Sequence, residues 1–60
     1  MIIRMIKRIK EELGLSEQTL VNLRSDGKVI IFGVILGRWT QTEHGALIEL
    51  CNHEPILLAA

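Results

Sequence analysis

Between Val29 and Leu36 the chain reads VIIFGVIL, a run in which almost every side chain is β-branched or aromatic. Such residues favour extended backbone, and a strand that is apolar on both faces must be covered on both. The chain has 60 residues, which is one domain. A domain of that size buries only about 60% of its unfolded surface, so its core is small. Two short helices would cover one face of the run. The second face needs another sheet layer, the C-terminal tail or a second subunit, and a homodimer is the expected solution. Gly33 and Gly37 mark bends, bulges or close backbone approach within what reads as a strand pair.

The C-terminal half continues in the same style. Arg38 to Thr42 alternates Arg, Trp, Thr, Gln, Thr, the pattern of a strand with one face in water. Glu43-His44-Gly45 reads as a turn, and Ala46 to Leu50 as the returning strand, with Ala46, Ile48 and Leu50 on one face. Asn52 to Pro55 form another turn. Ile56-Leu57-Leu58-Ala59-Ala60 is too apolar for a free tail and reads as a last strand, packed within the chain or against a neighbouring subunit. Trp39, the single tryptophan, is a core or interface anchor first and a base-stacking group second.

The N-terminal third has a different period. Ile2, Ile6, Ile9 and Leu13 recur at spacings of four, three and four, with Met5 beside them, which predicts a helix over residues 2–13. Arg4, Lys7, Arg8 and Glu11 fall opposite, and Lys7–Glu11 and Arg8–Glu12 are spaced to pair along it. Gly14 stands where that helix must stop, because glycine tolerates the left-handed conformation of a helix end. Ser16 is placed to cap a second helix over residues 17–25, with Glu17 in its first turn. Thr19, Leu20 and Leu23 would then face inward, and Gln18, Val21, Asn22 and Ser25 outward.

On Gly14, Leu15, Ser16, Thr19, Leu20 and Leu23, residues 6–25 resemble the helix-turn-helix of DNA-binding proteins. Lys10 departs from that pattern, which has a small residue five positions before Leu15. The run GLSEQTLVNLRSDGKV also resembles the small excisionase-type and AlpA-type regulators, whose reading helix passes into a β-hairpin wing. The resemblance implies a sequence-specific DNA-binding regulator. Gln18 and Asn22 would read base edges, with Val21 and Ser25 alongside, because amides match the N6 and N7 edge of adenine and a valine methyl packs on thymine. Arg4, Lys7, Arg8, Arg24, Lys28 and Arg38 would hold phosphates. The expected architecture is therefore α+β, two N-terminal helices followed by a small antiparallel sheet. The expected partner is double-stranded DNA.

The same residues carry a second pattern. Leu20 to Arg24, then Ser25-Asp26-Gly27, then Lys28 to Ile31 reads as strand, turn, strand, since Asp-Gly is a strong hairpin signal. With a helix before it, Val21-Asn22-Leu23 followed by a basic residue and Asp-Gly resembles an Sm-like small barrel. That resemblance implies a ring-forming RNA-binding protein. A third class, a protein-binding inhibitor or adaptor with an apolar β interface, suits the overall charge, since seven basic and seven acidic residues cancel.

The charges are unevenly spread. Arg4, Lys7, Arg8 and Lys10 load the first ten residues, whereas only Glu43, Glu49 and Glu54 follow Arg38. Cys51 is the single cysteine, so no intrachain disulfide forms, and a reducing cytoplasm is the expected compartment. His44, Cys51 and His53 lack the paired spacing of a zinc site, and no phosphate-binding glycine loop or catalytic carboxylate pair occurs. Neither a cofactor nor enzymatic activity is expected. The longest apolar run has eight residues, against roughly 20 for a membrane-spanning helix.

Overall fold

The computed structural model describes residues 1–60 as one helix followed by an antiparallel meander. Helix α1 spans Ile2–Leu13, and the strands are β1 Val21–Leu23, β2 Lys28–Ile31, β3 Val34–Thr42, β4 Gly45–Leu50 and β5 Ile56–Ala59. They form a single sheet in the order β1-β2-β3-β4-β5. Every strand pairs with its sequence neighbour, leaving β1 and β5 as edges.

Helix α1 ends as its sequence requires. Gly14 adopts φ 66° and ψ 32°, its N–H donates to the Glu11 carbonyl at 3.4 Å, and the Leu15 N–H donates to the Lys10 carbonyl at 2.9 Å. These two bonds satisfy carbonyls that the last helical turn leaves free. Arg8 Nε lies 3.0 Å from Glu12 Oε1, whereas the spaced Lys7–Glu11 pair does not close. The apolar face centres on Met5 and Ile9, both fully buried; Ile6 and Leu13 are half-buried and Ile2 is largely exposed.

The second helix does not form, so the helix-turn-helix architecture is wrong. Residues 17–18 turn, and Val21–Leu23 is the first strand. Ser16 caps nothing: its hydroxyl meets the Thr19 hydroxyl at 3.0 Å, and its carbonyl accepts the Thr19 N–H at 3.1 Å. Three physical reasons favour the strand. A nine-residue helix containing Thr19, Val21, Asn22 and Ser25 has poor intrinsic propensity and is too short to stand on its own. The Asp26-Gly27 turn, with Gly27 at φ 91°, returns the chain directly onto β2. A period of two then places Val21 and Leu23 against the core. Leu20, expected inward, is 86% exposed.

The apolar run beginning at Val29 is two strands. Phe32 (φ 54°) and Gly33 (φ 73°) make a two-residue hairpin between β2 and β3 with both central residues left-handed, the turn whose twist matches paired strands. Ladder partners shift from Val29↔Gly37 to Ile30↔Ile35, so Leu36 is an extra residue in β3. Across β3, β4 and β5, Trp39↔Ile48↔Ile56 and Gln41↔Ala46↔Leu58 share the inner face. Met5 and Ile9 pack onto that face with Val29, Ile31, Ala46, Ile48, Leu50, Ile56 and Leu58 as the core.

Trp39 belongs to this inner side. It is half-buried against the core, and its Nε1–H donates to the Arg24 carbonyl at 2.9 Å, tying the end of β1 to β3. Replacing Trp39 with Phe keeps the ring but removes the donor. Urea unfolding followed by circular dichroism should show a loss of about 0.5–1.5 kcal/mol plus a smaller packing term.

Candidate nucleic-acid interface

Residues directly opposite on paired strands project to the same face, and the register therefore defines the outer face of the sheet. Val21 pairs with Ile31 and Leu23 with Val29 on the inner side, so Asn22, paired with Ile30, points outward. Extending that register by one residue sets Arg24 opposite Lys28, and the Arg24 N–H donates to the Lys28 carbonyl at 2.9 Å. Lys28 is in turn opposite Arg38. Arg24, Lys28 and Arg38 thus form a row across three neighbouring strands on the outer face, with strands about 4.8 Å apart. Glu49, opposite Arg38 on β4, ends the row.

Asp26, in the turn between the first two cations, partly neutralises them. Its carboxylate lies 3.1 Å from Arg24 Nη2 and 3.7 Å from Lys28 Nζ. Arg38 has no carboxylate within 4 Å. An open depression of about 660 Å³ runs past Lys28, Arg38 and Thr40, with Asp26 and Cys51 at its margins. Its lining is mixed, with Ile35, Leu36 and Trp39 beside Lys28, Arg38 and Thr40, so the two cations can hold an anionic group next to an apolar wall.

The remaining residues of the expected DNA interface are scattered. Arg4, Lys7 and Arg8 lie on α1, which packs on the inner face, and they border a shallow depression with Glu11 and Leu58. They stand on the opposite side of the sheet from the cation row. Gln18 and Ser25 are exposed in turns, Val21 points toward the core, and Asn22 is on the outer face beside Ile30. No helix carries Gln18, Val21, Asn22 and Ser25 together, so their assignment to base edges in a major groove is corrected: the reading helix that would present them is a strand and two turns.

Two groups singled out by chemistry also separate. His44 lies in the turn before β4 and Cys51 just after it, at opposite ends of a strand about 20 Å long. His53 instead turns to α1, with Nε2 3.8 Å from Glu12 Oε2 and Nδ1 2.7 Å from the Glu54 carbonyl oxygen. No helix is long and apolar enough to cross a membrane.

The cation row was hidden in the sequence because its members are four and ten residues apart. Only the β1–β2 and β2–β3 registers bring them into line. A reader who took the Asp-Gly hairpin as certain could have paired Arg24 with Lys28. The bulge at Leu36, which sets Arg38 opposite Lys28, has no equally clear sequence signal. No family model, curated protein or solved structure matches this chain.

Proposed function

We propose that the protein binds single-stranded RNA, holding its phosphates along the Arg24–Lys28–Arg38 row. The juxtaposition of these three cations on adjacent strands carries the reading. Like charges placed directly opposite in a sheet are destabilising, and a bound polyanion relieves that repulsion. Asp26 holds the row together in the free state without matching its charge.

The platform is a sheet face rather than a projecting helix, which suits a flexible single strand better than a major groove. The order of helix, Val21-Asn22-Leu23 strand, Asp-Gly turn and second strand is also that of the Sm-like resemblance, which supports RNA over DNA. That resemblance covers only this stretch of the chain, so the proposal rests on the cation row. A free, exposed Cys51 is in keeping with a reducing cytoplasm as the place of action.

Fluorescence anisotropy with labelled oligonucleotides tests the reading. Uridine-rich and adenosine-rich RNA single strands should bind at low salt, more tightly than duplex DNA of the same length. Lys28→Ala and Arg38→Ala should each weaken binding on all sequences alike, and each should flatten the log–log salt slope by about 0.7. Gln18→Ala and Ser25→Ala should change nothing. RNA binding indifferent to both cation variants would end this assignment, and an absence of any nucleic-acid affinity would favour a protein-binding module.

A further inference from the structure

We infer that the hollow beside the β2–β3 turn is a nucleobase site, in which an unpaired adenine of the bound strand stacks on Phe32 and turns its N6 and N7 edge to the Asn22 amide. The inference deepens the RNA reading and rests on it. It begins with a residue that breaks a local rule. Phe32 and Gly33 are the central residues of a two-residue hairpin, both left-handed, and the pairs that suit this geometry are Asn-Gly and Asp-Gly. A bulky residue at φ 54° is an outlier. Packing does not explain it, because Phe32 is 74% exposed and lies outside the core. An aromatic ring held in water at a strained position points to a contact with something beyond the chain.

The surroundings define that contact. An open depression of about 460 Å³ lies at the turn, and Leu20, Asn22, Ile30, Phe32 and Gly33 are among its lining residues. Leu20, 86% exposed, is one position beyond the Val21↔Ile31 pair and so stands opposite Phe32. Asn22 is opposite the half-buried Ile30. Together these side chains offer an aromatic ring, two aliphatic groups and one amide. A base has flat apolar faces and a polar edge, and unpaired bases are bound by stacking on aromatic rings with hydrogen bonds to that edge. The Asn22 amide is free for this, since it makes no hydrogen bond within the chain. It carries an acceptor and a donor side by side. Adenine offers the complement, a donor at N6 and an acceptor at N7, whereas guanine offers acceptors at both O6 and N7.

Position joins the hollow to the cation row. Lys28 and Ile30 alternate along the outer face of β2, and Phe32 follows at the turn, about 13 Å from Lys28 at the usual strand rise. Ile30 is also opposite Ile35, which lines the depression past Lys28 and Arg38. The two depressions therefore adjoin across one ladder pair, and a flexible strand with its phosphates on the row can set a nearby base on Phe32. The neighbouring cations favour an anionic occupant over a second copy of this chain, whose outer face carries the same positive row.

The test uses abasic strands, which keep the phosphates and omit the bases. Fluorescence anisotropy of the full chain compares a labelled abasic ribose-phosphate strand with the same strand carrying one central adenosine or one central guanosine. The adenosine should tighten binding by about fivefold or more, and the guanosine by less. Phe32→Asn should erase that gain while leaving the affinity for the abasic strand unchanged. Its melting temperature should equal or exceed that of the wild type, because Asn-Gly suits the turn. Phe32→Tyr keeps the ring and should keep the gain. Asn22→Thr, which suits an exposed strand position, should equalise adenosine and guanosine. Equal binding of all three strands by the wild type, with Lys28→Ala weakening each, ends the base site and leaves the cation row standing. If no strand binds, added adenosine decides: unmoved Asn22 and Phe32 amide resonances end both site and row, and shifted ones end the row alone. A wild-type dimer that Phe32→Asn converts to a monomer gives the hollow to a second copy and overturns the inference.

Discussion

Replacing Gly45 with alanine should leave much of the chain unfolded at 25 °C. Gly45 opens β4 at φ 141°, a conformation that side-chain-bearing residues rarely adopt, and the strain alone costs on the order of 1–3 kcal/mol. The second term is steric. An added Cβ would overlap the Leu58 carbonyl, which is backbone in the neighbouring strand and cannot rotate aside as a side chain would. Relief requires β5 to move, and with it Ile56 and Leu58 of the core. Overpacking of this kind costs about 1–3 kcal/mol or more. A 60-residue domain has roughly 3–9 kcal/mol in total at 0.05–0.15 kcal/mol per residue, so the two terms together are comparable with the whole.

Gly33→Ala provides the comparison. Gly33 is also left-handed, at φ 73°, but a Cβ there meets nothing within 4 Å. It should cost only the strain, about 1–2 kcal/mol. Urea denaturation of both variants separates the terms. Equal losses would mean that β5 is not held against β4 as closely as the structure has it.

The Gly33 and Gly45 turns illustrate what could be read in advance. The turns at Gly14, Asp26-Gly27 and Glu43-His44-Gly45 were legible because glycine permits backbone conformations that other residues pay for. The strands after Lys28 were legible as extended chain from β-branched content. The failure came between Ser16 and Ser25, where two local signals compete. Ser16 and Glu17 are good helix-opening residues, and Leu20 and Leu23 fit a helical stripe. Val21 and Leu23 fit a two-residue period equally well in so short a window. Pairing with β2, a long-range event, decides between them. The same dependence on register hid the cation row, and it left Leu20, Phe32 and Ile35 on a face that the isolated chain does not cover. The run starting at Val29 was expected to need cover on both faces. α1 supplies it on one only.

The helix that gives this cover should be the most sensitive element to side-chain truncation, and Ile9→Ala should show it. Twelve residues are marginal for an isolated helix in water, and α1 has no side-chain cap at its N-terminus. The Gly14 cap and the Arg8–Glu12 pair contribute at its C-terminal end, yet the pair lies at the surface and is worth only a few tenths of a kcal/mol. Docking must therefore hold the helix. Met5 and Ile9 are its two fully buried side chains, one turn apart, and they belong to one core cluster with Val29, Ile31 and Ile48 of the sheet. Truncating Ile9 removes three carbons from that cluster, a loss of about 2–5 kcal/mol. The sheet cannot easily collapse into the space, because its strands are fixed by the ladders on either side. Ile3→Ala, at a position 81% exposed on the same helix, should change stability by less than about 0.5 kcal/mol. Amide exchange gives the sharper readout. In Ile9→Ala the amides of residues 6–13 should lose protection before those of β3 and β4, because the helix undocks while the meander persists. Simultaneous loss everywhere would mean that helix and sheet form one cooperative unit, with no separable step at the α1 contact.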